Sequence, residues 1–346
     1  MSTLPFVSIV IPVRDEERFI GPCLDSIIAN DYPKERIEIL VVDGMSRDRT
    51  RAIVEDSARG YSFIRLLINP KKTTPAALNT GIKSASGEIV MRMDAHCTYP
   101  PDYISGLVSW MDRTGADNVG GVCVAVPANS SAIAQAIAIA VSHPFGVGSS
   151  YFRIGSREPR WVDTVPFGCY RRELFDRIGL FDEELVRNQD DEMNARLVNR
   201  GGRILLVPNI AARYYGRESL GKLWRMFFQY GYFKPLVVRK VGRIQTFRQV
   251  VPVAFVLSLG ITGLLSPLFP LLAWLFGAIV LSYAVVDVGC STIAAFRQGL
   301  RCVLVLCAVF PVLHLSYGLG FLKGTLDLLI LRRKQVGFAE RTLISR

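Results

Sequence analysis

An uncharged stretch of 37 residues, 250–286, is the strongest constraint on how this chain folds. As one straight helix it would be roughly 55 Å long at ~1.5 Å per residue, whereas the hydrocarbon core of a bilayer is about 30 Å thick. Pro267 and Pro270 lie near its middle, and proline breaks a helix. The stretch therefore predicts a hairpin of two membrane spans, over about 250–266 and 269–288.

A second uncharged stretch, 302–322, is long enough for a third span, although it contains a proline, a histidine and several glycines. A third crossing would place the basic tail, residues 332–346, outside, against the excess of Lys and Arg expected at the cytoplasmic face. A re-entrant segment, or a fourth short passage through 326–331, would remove this conflict. The sequence predicts a transmembrane region over 250–331 and leaves open how many times beyond two it crosses.

Basic residues gather beside the apolar stretches. They are Arg239, Lys240, Arg243 and Arg248 before the first, and Arg297 and Arg301 before the second. This placement indicates a multi-pass protein of the plasma (inner) membrane with a cytoplasmic N-terminal domain, rather than a nucleic-acid-binding protein, despite the net charge of +11. The first 20 residues do not read as a signal peptide. The seven cysteines include no CxxC pair, so neither a disulfide framework nor a zinc site is indicated.

The N-terminal part alternates short apolar runs with segments of helical spacing, which is typical of an α/β domain. Strands are predicted at 7–13, 37–43, 63–69 and 88–94, with a helix after the first and another over about 74–84. The apolar run 132–141 is too short to span a membrane and predicts a buried helix. Several strands end in polar residues, at the edge where ligands bind in an open α/β sheet.

Asp43, in VVDGMSRDRT, and the pair Asp94 and His96, in MRMDAHCTYP, follow predicted strands. Asp43 can accept hydrogen bonds from ribose hydroxyls or a base N–H, or it can cap the next helix together with Ser46. Asp94 and His96, one residue apart, can bind one divalent cation, which would neutralise a departing diphosphate. The other interpretation is a buried Asp94 bonded to backbone amides beside a surface histidine.

The acidic segment RNQDDEMNARLVNRGG predicts a helix that begins near Asn188 or Gln189 and stops at its two final glycines. Asp190, Asp191 and Glu192 would lie in its first turn, where acids interact favourably with the helix dipole, and Glu192 would pair with Arg196. A carboxylate held there could also act as a general base toward an acceptor hydroxyl. The spacing does not decide between the two roles.

Together and in this order, these motifs resemble the family 2 glycosyltransferases with a GT-A fold. The resemblance runs through VSIVIPVRDEE, DGMSRDRT, LNTGIKSASGEIVMRMDAH, FGCYRRELFDRIGLFDEEL and QDDEMNARL. It implies an α/β GT-A (nucleotide-diphospho-sugar transferase), Rossmann-like catalytic domain over 1–217, followed by C-terminal transmembrane helices. The segment between them, 218–249, mixes aromatic and basic residues, and either lies in the membrane interface or packs as a core helix.

The resemblance also implies roles for individual residues. Asp190 matches the catalytic base, with Asp191 beside it. Asp94 matches the first acid of the DXD motif, and His96 stands where the second acid of that motif is usual. The residues implied in donor binding are Pro12, Arg14, Glu16, Asp43, Ser46, Asn79 and Asp94, and those implied in metal binding are Asp94 and His96.

The DAH variant and the acidic segment are similar to bacterial exopolysaccharide glycosyltransferases of the succinoglycan-biosynthesis type. This implies inverting transfer from a nucleotide-diphosphate sugar, a UDP-sugar above all, to a polyprenyl-linked saccharide at the membrane lipid, with a divalent cation (Mg²⁺ or Mn²⁺). The first alternative is a polyprenyl-phosphate sugar synthase, in which the lipid phosphate is the acceptor. The second is a non-catalytic membrane protein that binds nucleotide sugars.

Overall fold

The structure, a computed structural model, describes residues 4–296 and 302–332. The strands of the described chain join in one mixed sheet. They are β1 (Val7–Val13), β2 (Ile37–Asp43), β3 (Ile64–Ile68), β4 (Ile89–Arg92), β5 (Cys97–Thr98), β6 (Asn118–Val126), β7 (Arg160–Val162), β8 (Cys169–Arg171) and β9 (Ile204–Tyr215). The sequence predicted β1 and β2 to the residue. It placed the end of β4 two residues too late, because the N–H of Asp94 donates to the Tyr99 hydroxyl at 2.8 Å instead of to a neighbouring strand.

The order of the sheet is β3, β2, β1, β4, β8, β6, β9 and β5, with β7 also paired to β9. β1 pairs in parallel with both β2 and β4, and β2 pairs in parallel with β3. The pairs of β8 with β4 and β6, and of β9 with β5 and β7, are antiparallel. The carboxyl ends of β1, β2 and β4 therefore share one edge of the sheet, which is the usual place for a ligand.

Helices follow the strands as their apolar spacing predicts. They are α1 (Ile20–Ile28), α2 (Thr50–Gly60), α3 (Thr74–Ser84), α4 (Tyr103–Thr114), α5 (Ala132–Ala140), α6 (Pro144–Val147), α7 (Tyr151–Ile154), α8 (Glu173–Ile178), α9 (Gln189–Asn199), α10 (Leu220–Val241), α11 (Val251–Leu265), α12 (Pro270–Phe296) and α13 (Val303–Gly324). In α1 the side chains of Ile20, Leu24 and Ile27 are fully buried, at the three- and four-residue spacing that gives a helix one apolar face.

The described chain forms two compact units, residues 4–124 with 155–214, and residues 125–154 with 215–296 and 302–332. The sequence predicted a continuous domain over 1–217. The difference arises in α5, whose sequence AIAQAIAIA is apolar almost all round and is buried among residues of α10 and α13. Because a helix that is apolar on every side must be covered on every side, residues 125–154 cluster with the C-terminal helices.

Within the second unit, α10 packs closely along α13. A Cβ added to Gly231 would lie 2.0 Å from the carbonyl oxygen of Tyr317, and one added to Gly320 would lie 2.2 Å from that of Phe228. Such small residues let helix backbones approach each other. The segment 218–249 thus has the core-packing helix that was one of its two interpretations, and its place in a membrane interface stays a prediction.

Among the described residues, three helical segments are long and apolar enough to cross a membrane: Phe247–Leu265, Pro270–Phe296 and Val303–Ile330. The break between the first two falls at the predicted prolines. The second extends past its predicted end at 288, because Asp287 is buried within the helix and accepts a hydrogen bond from Ser291 at 3.1 Å. An acid that finds a partner one turn later does not end an apolar helix. Arg297, Arg301 and the tail beyond residue 332 lie outside the described residues.

Candidate active site

Several of the predicted residues lie at one edge of the sheet, in the first unit. Pro12 lies near the end of β1, Asp43 is the last residue of β2, and Asp94 follows β4 by two residues. The parallel register sets Val13 opposite Asp43. The backbone of the sheet therefore brings together three loops that the sequence marked separately.

Asp43 is fully buried and closes the turn after β2. Its carboxylate oxygens accept the N–H of Ser46 at 3.2 and 3.1 Å, and the Ser46 hydroxyl donates to the same carboxylate. The guanidinium of Arg51 lies 3.9 Å away. The pair does not cap the next helix, since α2 begins at Thr50 and the Thr50 N–H donates to Asp48. Because Asp43 is fully buried among these contacts, its direct contact with a nucleotide stays a prediction.

The loop after β1 is tied to the turn after β2. Asp15 adopts a left-handed conformation (φ 54°), its N–H donates to the Ser46 hydroxyl at 2.9 Å, and its carboxylate accepts the N–H of Arg47 at 2.8 Å. Arg14 packs over Gly44, where an added Cβ would lie 3.4 Å from the Arg14 Cβ. About a quarter of the Arg14 side chain stays exposed (26%). Arg14 is thus held beside Asp43 and can still meet a ligand.

Glu16 and His96 face each other across the site. The Glu16 carboxylate is buried and its Oε1 lies 3.4 Å from His96 Nδ1, while the Tyr214 ring meets the imidazole edge-on at 4.9 Å between centroids. The Glu16 N–H donates to Thr50 Oγ1 at 2.7 Å, and this hydrogen bond holds Glu16 against the first residue of α2. A carboxylate beside one ring nitrogen sets the orientation of an imidazole, as it does for many metal-binding histidines.

Asp94 is held by Arg92, a residue that the sequence analysis did not identify as part of the site. Arg92 Nε and Nη2 donate to Asp94 Oδ1 at 3.2 and 3.1 Å. The Tyr99 hydroxyl donates back to the Asp94 carbonyl at 3.2 Å, so both the backbone and the carboxylate of Asp94 are fixed. The expectation that backbone amides bind a buried Asp94 is replaced by a charged partner on the preceding strand.

The acidic helix α9 brings Asp190 to the same arginine. α9 begins at Gln189, as predicted, after Asn188 in a left-handed conformation (φ 62°). Asp190 Oδ2 lies 3.7 Å from Arg92 Nη1, and its Oδ1 accepts the N–H of Asp191 at 3.0 Å. The structure therefore places Asp190 beside the pair formed by Arg92 and Asp94.

Glu192, the third acid of the segment, has a structural role. Glu192 accepts a hydrogen bond from Arg196 Nε at 2.8 Å, the predicted pair one turn apart. Arg196 also donates to the carbonyls of Ile178 and Leu180, which ties α9 to the end of α8. Glu192 thus helps to position the helix.

Burial lowers the pKa of the Arg92 guanidinium, but the charges of Asp94 and Asp190 outweigh it and hold the pKa above its usual value. Arg92 is therefore always positively charged, although only 7% of the surface of the whole residue is exposed. One signal in the sequence could have found it: a single charged residue inside the apolar run IVMRM, where a charge is costly unless paired.

Asn79 lies apart from these contacts. Its amide nitrogen donates to the Phe181 carbonyl at 2.9 Å and to Glu183 at 3.1 Å, and its amide oxygen accepts the Phe181 N–H at 2.9 Å. Both ends of the amide thus tie α3 to the loop at 181–183. Donor binding by Asn79 stays a prediction that these contacts do not support.

Comparisons with known proteins agree with this architecture. A family model described as glycosyl transferase family 2 matches residues 8–179. The succinoglycan biosynthesis protein ExoA of Rhizobium meliloti is 31% identical over 329 residues, which cover 92% of this chain and 94% of that protein.

A second relative comes from Methanococcus voltae. It is named dolichyl N-acetyl-alpha-D-glucosaminyl phosphate 3-beta-D-2,3-diacetamido-2,3-dideoxy-beta-D-glucuronosyltransferase, and it is 33% identical over 68% of this chain and 74% of its own length. Among solved structures, a mannosyltransferase from Pyrobaculum calidifontis in complex with GDP-Man and Mn²⁺ superposes with a TM-score of 0.58 at 18% identity. The match covers 94% of this chain and 88% of that one.

Proposed function

The chain belongs to glycosyltransferase family 2, and from this premise we propose that it transfers a sugar from a nucleotide-diphosphate sugar, with inversion, to a lipid-linked saccharide at the cytoplasmic face of the plasma (inner) membrane. It is a glycosyltransferase with a GT-A fold. The observation that carries the proposal is the joint placement of Asp94 and Asp190 around Arg92, at the edge of the sheet where Asp43 also lies.

A divalent cation fits this site. Within residues 4–296 and 302–332 no cluster of three or more His, Cys, Asp or Glu side chains is arranged to hold a metal. Mg²⁺ sites commonly use one or two carboxylates and complete their shell with substrate phosphates and water, and such a site needs no dedicated cage. Asp94 and His96 would supply the protein ligands, with Glu16 orienting the imidazole.

When bound, the cation would neutralise the charge that develops on the departing nucleoside diphosphate. Asp190 would accept the proton of the acceptor hydroxyl as that hydroxyl attacks the anomeric carbon opposite the leaving group. Arg14 is partly exposed beside the turn of Asp43 and would contact the donor, with Pro12, Glu16 and Ser46 shaping its pocket.

A lipid-linked acceptor accords with the rest of the chain. The Methanococcus relative is named for an acceptor in which a sugar is carried on dolichyl phosphate. The described residues include three helices of membrane-spanning length. Arg239, Lys240 and Arg243 precede the first of them, and Arg248 lies at its start. This excess of positive charge supports a cytoplasmic catalytic domain.

The test is a panel of radiolabelled nucleotide sugars, UDP-sugars first and GDP-mannose included, incubated with membranes containing the wild type, Asp94→Ala or Asp190→Asn. Asp112→Asn, an exposed acid of α4, is the control. Reactions are run with and without EDTA, and lipids are then extracted. We expect label in a lipid-linked saccharide for the wild type and the control, and its loss in both active-site variants and in EDTA.

Other outcomes would change the assignment. Label in an acid-labile lipid monophosphate that persists in Asp190→Asn would support the polyprenyl-phosphate sugar synthase, because a phosphate acceptor needs no general base. Transfer of label from none of the donors, with tight nucleotide-sugar binding, would support the non-catalytic alternative.

A further inference from the structure

Arg92 lies between two acids that serve different substrates in the proposed reaction. Its Nε and Nη2 bind Asp94, and its Nη1 faces Asp190 at 3.7 Å. Only 9% of the Arg92 side chain is exposed, compared with 16% for Asp94 and 31% for Asp190. The Arg92 guanidinium thus lies at the bottom of the site, and the two carboxylates are more accessible to ligands than the arginine is.

Neutralising one buried arginine requires one carboxylate. Here two acids share it, which leaves a net negative charge on the solvent side. The two contacts also differ in kind: the Asp94 contact is a pair of hydrogen bonds, whereas Nη1 makes no hydrogen bond within the described residues and meets Asp190 only as a charge. Asp94 is therefore held rigidly, and Asp190 is attracted without being locked, which leaves its carboxylate able to turn toward an acceptor hydroxyl.

The backbone of Arg92 belongs to the sheet, unlike those of Asp94 and Asp190. It lies at the end of β4, paired in register with Val10 of β1, and its N–H donates to the Gly168 carbonyl at 2.9 Å. Asp94 lies in the loop after this strand and Asp190 in the first turn of α9. A side chain fixed on the sheet thus spans a loop and a helix end that come from distant parts of the chain.

We propose that Arg92 is a positioning residue for glycosyl transfer, which uses its planar guanidinium to hold the donor-side Asp94 and the acceptor-side Asp190 at a fixed separation. This rests on the proposed function, in which Asp94 serves the departing diphosphate and Asp190 the acceptor. The guanidinium fork is essential to it. A lysine ammonium keeps the charge but is a single point that cannot reproduce a fork with contacts on two sides.

The experiment is a double-mutant cycle of Arg92→Lys with Asp190→Asn, measured as kcat and donor KM for transfer in membranes. Arg65→Lys is the control: Arg65 is also an arginine on a strand of the sheet, and within the part of the chain that the structure describes it pairs with a single acid, Glu38 at 3.3 Å. We expect Arg92→Lys to lower kcat by at least about 30-fold in the wild-type background and by less than about threefold in Asp190→Asn, because the two residues act as one unit.

Donor binding without acceptor gives a second readout. We expect Arg92→Lys to weaken binding of the nucleotide sugar with Mn²⁺ by less than about tenfold, since one charged contact to Asp94 survives, so that the loss falls on kcat rather than on binding. Arg65→Lys should leave both kcat and binding within about twofold of the wild type.

Four results would overturn the proposal. One is transfer by Arg92→Lys within threefold of the wild type. Another is an equal loss in both backgrounds, which would show that Arg92 does not act through Asp190 while leaving the proposed function intact. The third, full activity of Asp190→Asn alone, would remove the proposed general base and the coupling with it. Thermal unfolding of each variant accompanies the kinetics, and a loss that tracks the melting temperature also counts against positioning.

Discussion

Asn194, in the middle of α9, offers a direct test of what holds the candidate base in place. It is fully buried, and its amide makes three hydrogen bonds: Asn118 Nδ2 donates to its oxygen at 2.8 Å, and its nitrogen donates to Thr164 Oγ1 at 2.8 Å and to the Val165 carbonyl at 3.1 Å. These bonds tie α9 to β6 and to the segment before β8. Asn194→Ala removes all three.

The expected cost follows from these contacts. Each hydrogen bond contributes about 1 kcal/mol net, so three amount to about 3 kcal/mol, and partners left buried without a bond add to the loss. A domain of this size loses roughly 2–4 °C of melting temperature per kcal/mol, which predicts a fall of about 6–12 °C. The better helix propensity of alanine returns only some tenths of a kcal/mol.

The assay is thermal unfolding of purified protein in detergent, with transfer rates measured well below the transition. Asn199→Ala is the control, because Asn199 lies on the same helix but is exposed. We expect the control to melt within about 2 °C of the wild type, since surface substitutions usually cost little. An Asn194→Ala protein that melts with the control would refute the view that this network positions α9.

Three further substitutions address the chemistry. His96→Asp should lower the ratio of Mn²⁺- to Mg²⁺-supported transfer by at least about threefold, because it replaces an imidazole with a carboxylate, the ligand type that Mg²⁺ prefers; an unchanged ratio in metal titrations would exclude His96 as a ligand. Asp190→Asn should lower kcat by about 10²- to 10⁴-fold and Asp191→Asn by less than about tenfold, because Asp190 lies beside Arg92 and is the proposed base. Similar losses in single-turnover transfer would contradict that assignment.

Local patterns predicted the part of the site that local structure builds. The apolar runs 7–13 and 37–43 are strands over those very residues, and Asp43 ends the second. The start of α9 and the pairing of Glu192 with Arg196 also followed from spacing within one helix. These features depend on residues a few positions apart, so hydrophobic periodicity and the residues that begin or end helices and strands are enough to predict them.

What the sequence did not reveal depends on partners that are distant in the chain. Spacing marked Asp287 as the end of an apolar stretch, yet a serine one turn on accommodates it within α12. The buried helix α5 was predicted correctly, but its assignment to the C-terminal unit depends on which apolar surfaces cover it. Neither partner choice is encoded in a local pattern.

Arg92 was not predicted, although Asp94 and Asp190 were, because its contact with Asp190 also depends on partners that are distant in the chain. Asp94 is local to Arg92, but Asp190 reaches it only because β8 pairs antiparallel with β4, setting Cys169 opposite Met91, and because Asn194 fastens α9 to β6 beside β8. Asp94 is thus placed by the parallel half of the sheet and Asp190 by the antiparallel half. Arg92, on the strand where the two halves meet, is the position from which one side chain can reach both, so a change that shifts either half relative to β4 should impair transfer before it impairs donor binding.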